Sequence, residues 1–171
     1  GLLGGHSGAE IHKGRANANV VLGRVLQTLD KKVGVDIIKM EGGSKDNAIP
    51  RLASAEILIS AENAEKLAEA VKAEEAVLKN ELHASDAGVT LELTAKGNKA
   101  AEVLDATSKI TVLHALNNIP NGIQAYSMDI EGLVETSLNM GIMSQDCEEL
   151  KMSFAVRSSV ESAKYYLTER T

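Results

Sequence analysis

Apolar residues recur along the chain at spacings that predict alternating helices and strands. Between positions 15 and 29 they fall three and four residues apart, which places them on one face of a helix. The same spacing predicts further helices over 62–82, 99–116 and 159–168. Stretches that alternate apolar and polar residues, or that are rich in Val and Ile, predict strands over 33–40, 52–60, 89–94, 135–143 and 149–156.

Two stretches, 35–60 and 133–158, each predict a strand hairpin with a helix before and after it. This similarity suggests a pseudo-repeat at the level of structure, with possible lobes at 1–95 and 96–171 of one domain, 1–171. Strand pairs covered by helices imply an α+β fold. We therefore expect an antiparallel sheet with helices mainly on one face, a ferredoxin-like sandwich with a possible second pseudo-repeated lobe.

Composition narrows the classes of partner. Apolar residues make up 44% of the chain, aromatic residues 2%, and the formal net charge is -6. An acidic chain with few aromatic rings has neither the charge to attract phosphates nor a platform on which bases stack, so no nucleic-acid partner is expected. No apolar run reaches the ~18–20 residues of a membrane span, so no membrane partner is expected either.

The single cysteine and the start of the chain give two further expectations. Cys147 cannot form an internal disulfide, which fits a reducing, cytoplasmic compartment, and it is expected to be a structural or partly exposed thiol. The chain begins without an initiator Met at what resembles a strand end. We expect a domain cut out of a longer protein.

The four histidines show no pattern typical of a metal site, which needs several ligands on converging elements. None lies in a His-Glu-x-x-His motif, and no Ser lies in a Gly-x-Ser-x-Gly motif. His83 and His114 are expected to be surface or capping residues. The segment 4–8 (GGHSG) surrounds His6 with glycines that permit close approach of a ligand. From the residues alone, a glycine-rich turn with an incidental His is the favoured explanation.

Three motifs resemble those of a known enzyme family. The segment 4–19 (GGHSGAEIHKGRANAN) is similar to the start of the lid domain in bacterial aminoacyl-histidine dipeptidases. These enzymes are cocatalytic zinc peptidases, as are glutamate carboxypeptidase and aminoacylase. The segment 42–51 (GGSKDNAIPR) resembles the turn of that lid, and 134–139 (VETSLN) with 156–158 (VRS) resembles its later hairpin. The three motifs occur in the family's order and span nearly the whole chain.

The resemblance implies a lid and dimerisation domain inserted in a dipeptidase that cleaves Xaa-His dipeptides. The two zinc ions and the general-base Glu of such enzymes lie in a catalytic domain, whose motifs are absent here. The chain alone is therefore expected to bind no metal and to hydrolyse no peptide, although the parent enzyme is a hydrolase. A homodimer is implied as well. The alternative is a stand-alone, non-catalytic α+β binding or oligomerisation module.

The resemblance also implies roles for three residues. His6 matches the lid histidine that polarises the scissile carbonyl and stabilises the oxyanion. Asn47 matches the asparagine that hydrogen-bonds substrate, and Arg157 matches the arginine that holds the substrate carboxylate. As structural alternatives, Asn47 is a turn residue before Pro50 and Arg157 caps a strand–helix junction.

Overall fold

A computed structural model describes residues 1–98, 100–146 and 149–171, so Lys99, Cys147 and Glu148 lie outside the described residues, and with them the prediction about the Cys147 thiol. The helices of the described residues are α1 (Ala18–Val33), α2 (Ala64–Glu81), α3 (Ala106–Asn118) and α4 (Glu161–Thr168). The strands are β1 (Gly5–His6), β2 (Asp36–Gly42), β3 (Ala48–Ile49), β4 (Ala53–Leu58), β5 (Gly122–Tyr126), β6 (Val134–Gln145) and β7 (Leu150–Ser158). None of these helices is both long enough and apolar enough to cross a bilayer.

Every strand pair among the described residues is antiparallel, and β6 pairs with three other strands, β2, β5 and β7. One edge of β6 pairs with β7 along most of its length. Its other edge pairs first with β5 and then, through Met143 and Ser144, with the end of β2. Strand β2 pairs in turn with β4, and β1 forms a separate small sheet with β3. The predicted α+β class with an antiparallel sheet is confirmed.

Helix α1 lies between the two hydrophobic cores of the domain. Val25 and Leu29 pack with Leu67 and Leu78 of α2 in the first core. Leu26 of α1 packs in the second core. The second core joins helices α1 and α3 to the sheet through Ile37, Met40, Leu113, Leu116, Met140 and Met143. Each such side chain contributes about 1.5–3 kcal/mol when fully buried. Because Val25 and Leu29 lie in the first core and Leu26 lies in the second, α1 is buried on two sides.

The predicted strand over 89–94 is wrong. The segment forms no ladder with another strand; instead the backbone N–H of Leu91 donates to Glu75 Oε1 of α2 at 3.2 Å. Val89 is buried and Leu91 packs against the first core, while Leu93 stays 47% exposed. The alternation of apolar and polar residues over 89–94 therefore comes from packing of Val89 and Leu91 against the first core. Burial of every second side chain gives this pattern whether or not the backbone pairs with a strand.

Helix α3 and strand β5 also differ from the prediction. Helix α3 begins at Ala106 and not near position 99, because Asp105 caps it by accepting the backbone N–H groups of Thr107 (2.9 Å) and Ser108 (3.1 Å). Strand β5 was not predicted, since the sequence between Gly122 and Tyr126 shows no clear alternation.

A buried carboxylate joins three distant parts of the chain. Asp86, which follows α2 and has no exposed surface, accepts the backbone N–H of Leu3 at Oδ1 and that of Ala16 at Oδ2, both at 2.8 Å. Backbone donors buried without an acceptor are costly. Asp86 therefore holds the start of the chain and the approach to α1 against the end of α2.

Replacing Asp86 should destabilise the whole domain. We expect Asp86→Ala to lower the free energy of unfolding by about 2–4 kcal/mol, because it leaves the two part-buried N–H groups of Leu3 and Ala16 without their acceptor. Urea unfolding followed by circular dichroism measures the change. Asp129→Ala, at an exposed turn, is the matched control and should shift the midpoint little. Equal midpoints for the two variants would contradict the role of Asp86.

Candidate functional site

The segments that carry His6 and Asn47 are joined by backbone hydrogen bonds. In the small sheet, Gly5 of β1 lies opposite Ile49 of β3 and His6 lies opposite Ala48. One residue further on, the Ser7 N–H donates to the Asn47 carbonyl at 2.9 Å. Two residues that are 41 positions apart in sequence are thus fixed side by side through the backbone.

The His6 ring is held in one tautomer. Its Nδ1 accepts the backbone N–H groups of Gly8 and Ala9, both at 3.0 Å. A neutral imidazole has one donor and one acceptor nitrogen, so the neutral ring carries its proton on Nε2. His6 is an exposed residue, and the arrangement fits it to donate a hydrogen bond from Nε2.

Glu10 holds the turn that follows His6. Its Oε2 accepts the backbone N–H of His6 at 2.9 Å, and its Oε1 is bound by Lys13 Nζ at 2.7 Å and Arg15 Nη1 at 3.3 Å. The hydrogen bond from Lys13, followed by that from the His6 backbone, lowers the Glu10 pKa from 4.5 to about 2. The carboxylate is therefore ionised at neutral pH and remains an acceptor for the turn.

Glycine is required beside this ion cluster. Gly5 has a φ of +146°, in the region that L side chains rarely adopt. A Cβ at Gly5 would also lie 2.7 Å from Glu10 Oε2 and 2.8 Å from Arg15 Nη1. Gly5 thus allows the side chains of Glu10 and Arg15 to approach the backbone. The sequence had predicted only that glycines in this motif permit close approach.

Arg157 lies beside His6, although 151 positions separate them in sequence. It is on β7 opposite Ser137 of β6, and its side chain is exposed. A Cβ added at Gly8 would lie 3.1 Å from both Arg157 Nε and His6 Cε1. The imidazole and the guanidinium therefore flank Gly8 on two sides, and a larger residue there would press on both.

The structure places His6 and Arg157 together at Gly8 and fixes the backbone of Asn47 beside Ser7. Asn47 is exposed in a turn, where the Ala48 N–H donates to the Lys45 carbonyl at 3.3 Å. That geometry agrees with a turn role, and the residue is exposed. An imidazole and a guanidinium at one point, with an exposed amide on the adjoining turn, are groups that can bind a carbonyl and a carboxylate.

His83 follows the end of α2 and His114 lies on α3, both away from the Gly8 turn in sequence. His83 Nδ1 lies 2.8 Å from the Asn80 carbonyl at the end of α2, and His114 is exposed on α3. These positions agree with the predicted surface and capping roles. Over 1–98, 100–146 and 149–171, no three or more His, Cys, Asp or Glu side chains are grouped so that they could hold a metal ion.

Sequence reasoning missed the role of a buried amide cluster behind the site. Asn17 caps α1 with Oδ1 and donates from Nδ2 to the Met140 carbonyl at 3.0 Å and to Asn139 Oδ1 at 3.2 Å. Asn121 Oδ1 accepts the backbone N–H of Met140 at 2.9 Å. Asn139 lies in the third motif, but no local signal distinguished it from a residue on the polar face of a strand.

Comparison with known proteins gives a consistent result. Residues 1–86 match the family model of the peptidase dimerisation domain. The chain is 37% identical over 167 residues to the cytosol non-specific dipeptidase of Escherichia coli strain K12, which covers 98% of this chain and 34% of that protein. It also resembles the crystal structure of an aminoacylhistidine dipeptidase from Vibrio alginolyticus, with a TM-score of 0.94, 34% identity, and coverage of 99% of this chain and 34% of that one. The chain spans about a third of the length of these dipeptidases.

The ion cluster around Glu10 predicts an acid-resistant turn. Because the folded-state pKa is about 2 and the ordinary value is 4.5, the ionised carboxylate stabilises the fold above pH 4.5, and this contribution is lost as the pH falls toward 2. Lys13→Met should raise the Glu10 pKa, since it removes the largest cause of the shift. NMR titration of the Glu10 carboxyl carbon measures the change, with Lys31→Met as control. An unchanged Glu10 pKa in Lys13→Met would contradict the assignment.

Proposed function

This chain belongs to the peptidase dimerisation domain family, and on that premise we propose that it is the lid and dimerisation domain of a zinc-dependent dipeptidase. The observation that carries the proposal is that His6 and Arg157 both lie against Gly8, while the backbone of Asn47 is hydrogen-bonded to Ser7, the residue after His6. In this proposal the chain supplies groups that bind substrate and stabilise the oxyanion, and the zinc ions and the general base come from a separate catalytic domain.

His6 donates from Nε2 to the scissile carbonyl oxygen. The backbone N–H groups of Gly8 and Ala9 support this role, because they occupy Nδ1 and leave the proton of the neutral ring on Nε2. As the carbonyl becomes tetrahedral, negative charge grows on its oxygen and the hydrogen bond strengthens. Such a donor is worth most in a closed site from which water is excluded.

Asn47 and Arg157 hold the two polar ends of the dipeptide. The Asn47 amide offers both a donor and an acceptor to a peptide group. The Arg157 guanidinium can bind the free carboxylate of the dipeptide with two parallel hydrogen bonds. The proximity of Arg157 to His6 supports this pairing, because the carboxylate and the scissile carbonyl of a dipeptide are only one residue apart.

Substrate breadth is the finer part of the proposal. One similar protein is named a non-specific dipeptidase and the other an aminoacylhistidine dipeptidase. We infer that Xaa-His dipeptides are among the substrates and that the setting is cytoplasmic, as in the name of the first relative. Comparing kcat/KM for Xaa-His dipeptides with that for dipeptides of other C-terminal residues tests the preference. Equal kcat/KM values for the two groups of dipeptides would show that the enzyme has no preference for Xaa-His dipeptides.

The described residues do not fit the zinc ions of such an enzyme. They contain no cluster of three or more metal-binding side chains, so the proposal assigns zinc ligation to the catalytic domain and derives no step of this chain's chemistry from it. The alternative, a stand-alone binding or oligomerisation module, is less well supported, because the similarity to dipeptidases extends over 98% of the chain.

A homodimer is the expected assembly. The family is defined by a dimerisation domain, and within the described residues β4 and β7 each pair along one edge only. Unpaired strand edges can hydrogen-bond to a second copy of the chain, and a two-fold contact would cover them.

We expect sedimentation equilibrium to give the dimer mass at micromolar concentration. A monomer mass over the whole concentration range would exclude self-association by this chain.

Replacing His6 tests the proposed chemistry. In the longer dipeptidase that contains this chain, His6→Ala should lower kcat on the order of 10²–10³-fold, because it removes a donor that acts mainly in the transition state. Zinc content should not change. His12→Ala, an exposed histidine six positions further on, is the matched control and should keep the kcat of the unmodified enzyme.

Two outcomes would contradict the proposed role of His6. A nearly unchanged kcat in His6→Ala would exclude it from the mechanism, and loss of zinc would show that it is a metal ligand. The chain produced without the rest of the dipeptidase is the negative control for the kinetic assay and for the zinc assay. We expect it to bind no stoichiometric zinc and to hydrolyse no dipeptide, and turnover by the chain alone would refute the division into lid and catalytic domain.

A further inference from the structure

The turn that carries Asn47 lies directly on the backbone of β6. A Cβ at Gly141 would lie 2.6 Å from the Lys45 carbonyl oxygen and would clash with Asp46. Gly43, at a φ of +69°, lies against the Gly141 carbonyl, where a Cβ would clash as well. The segment 43–48 therefore crosses the strand at a distance that only glycine on both sides allows.

One side chain bonds this turn on both sides of Asn47. Asn139 of β6 is 1% exposed, and its Nδ2 donates to the carbonyls of Asp46 at 3.0 Å and Ala48 at 2.9 Å. Its Oδ1 accepts a hydrogen from Asn17 Nδ2 at 3.2 Å. Both amide hydrogens of Asn139 are thus used on the residues that precede and follow Asn47.

We propose that Asn139 is a positioning residue for substrate binding, which acts by fixing the backbone on either side of Asn47. The effect reaches His6 as well, because the Asn47 carbonyl accepts the Ser7 N–H at 2.9 Å. This inference rests on the proposed role of Asn47 in binding the dipeptide. Asn139 touches no substrate itself and acts only through the turn.

The chemistry of the position requires an amide. The two turn carbonyls face a buried side chain, and buried acceptors without a donor are costly. Leu would fill nearly the same volume but would donate nothing, and Ala would leave space and no donor. With either residue the turn should loosen at 46–48, and displacements on the order of 1 Å at a binding group can cost up to about 10²-fold in activity.

Two variants and one matched control separate this role from general stability. Asn139→Ala and Asn139→Leu remove the two donors, the second with little loss of volume. Asn117→Ala is the control, because Asn117 Nδ2 also donates to two carbonyls, those of Gly23 at 3.1 Å and Leu113 at 2.7 Å, but it joins α1 to α3. All variants are made in the longer dipeptidase that contains this chain.

The first measurement is amide hydrogen exchange, which does not depend on the proposed function. We expect exchange at 43–50 and at Ser7 to rise at least tenfold in both Asn139 variants and to stay unchanged in Asn117→Ala. Unchanged exchange at 43–50 in both Asn139 variants would overturn the proposal.

The second measurement is steady-state kinetics with a Xaa-His dipeptide. We expect KM to rise about tenfold in Asn139→Ala and Asn139→Leu, with a smaller change in kcat, and we expect neither constant to change in Asn117→Ala. Adding Asn47→Ala to an Asn139 variant should cause no further loss, since both changes remove the same contact.

The two measurements distinguish the possible failures. Looser exchange with unchanged KM, while Asn47→Ala alone raises KM, would show that Asn139 is purely structural and would overturn the positioning role. If Asn47→Ala itself leaves KM unchanged, the proposed function of Asn47 is wrong, and the positioning role is overturned with it. Additive losses in the double variant would show that the two residues act separately.

Discussion

The close passage of segment 43–48 over β6 is the constraint on which the site depends. Backbone carbonyls that lie on a buried strand must find donors, and the donors here are the amide of Asn139 and the neighbouring backbone groups. Once the turn is fixed, β3 follows it and pairs with β1. His6 is placed by that pairing, while β7, held on the other edge of β6, brings Arg157 to the same point.

Periodicity predicted the elements of the fold whose burial is one-sided. Helix α2 has one face in the first core and the other in water, so its pattern is clear. The same reasoning failed over 89–94, where Val89 is buried in the first core and Leu91 packs against it although the segment pairs with no neighbouring strand. It also placed the start of α3 too early, because the cap at Asp105 depends on local hydrogen bonds that an apolar pattern does not report.

The middle of β6 shows why the amide cluster could not be predicted. Residues 136–141 are buried without interruption, so polar and apolar side chains are equally hidden and alternation carries no information. An asparagine there is favourable only if its amide meets partners, and those partners, Asp46 and Ala48, are more than 90 positions away in sequence. The candidate residues His6, Asn47 and Arg157 were identified through motif resemblance, since nothing local in the sequence places them together.

The exposure of the candidate residues bears directly on the proposed role of His6. His6, Asn47 and Arg157 are all exposed, and a hydrogen bond formed in water mainly replaces one made to water, so its net contribution is small. The same donor acts far more strongly where water is excluded and the donor is already oriented. The Gly8 and Ala9 N–H groups and the Asn139 amide supply the orientation. Exclusion of water is the condition that a second surface, closing over these residues, has to provide.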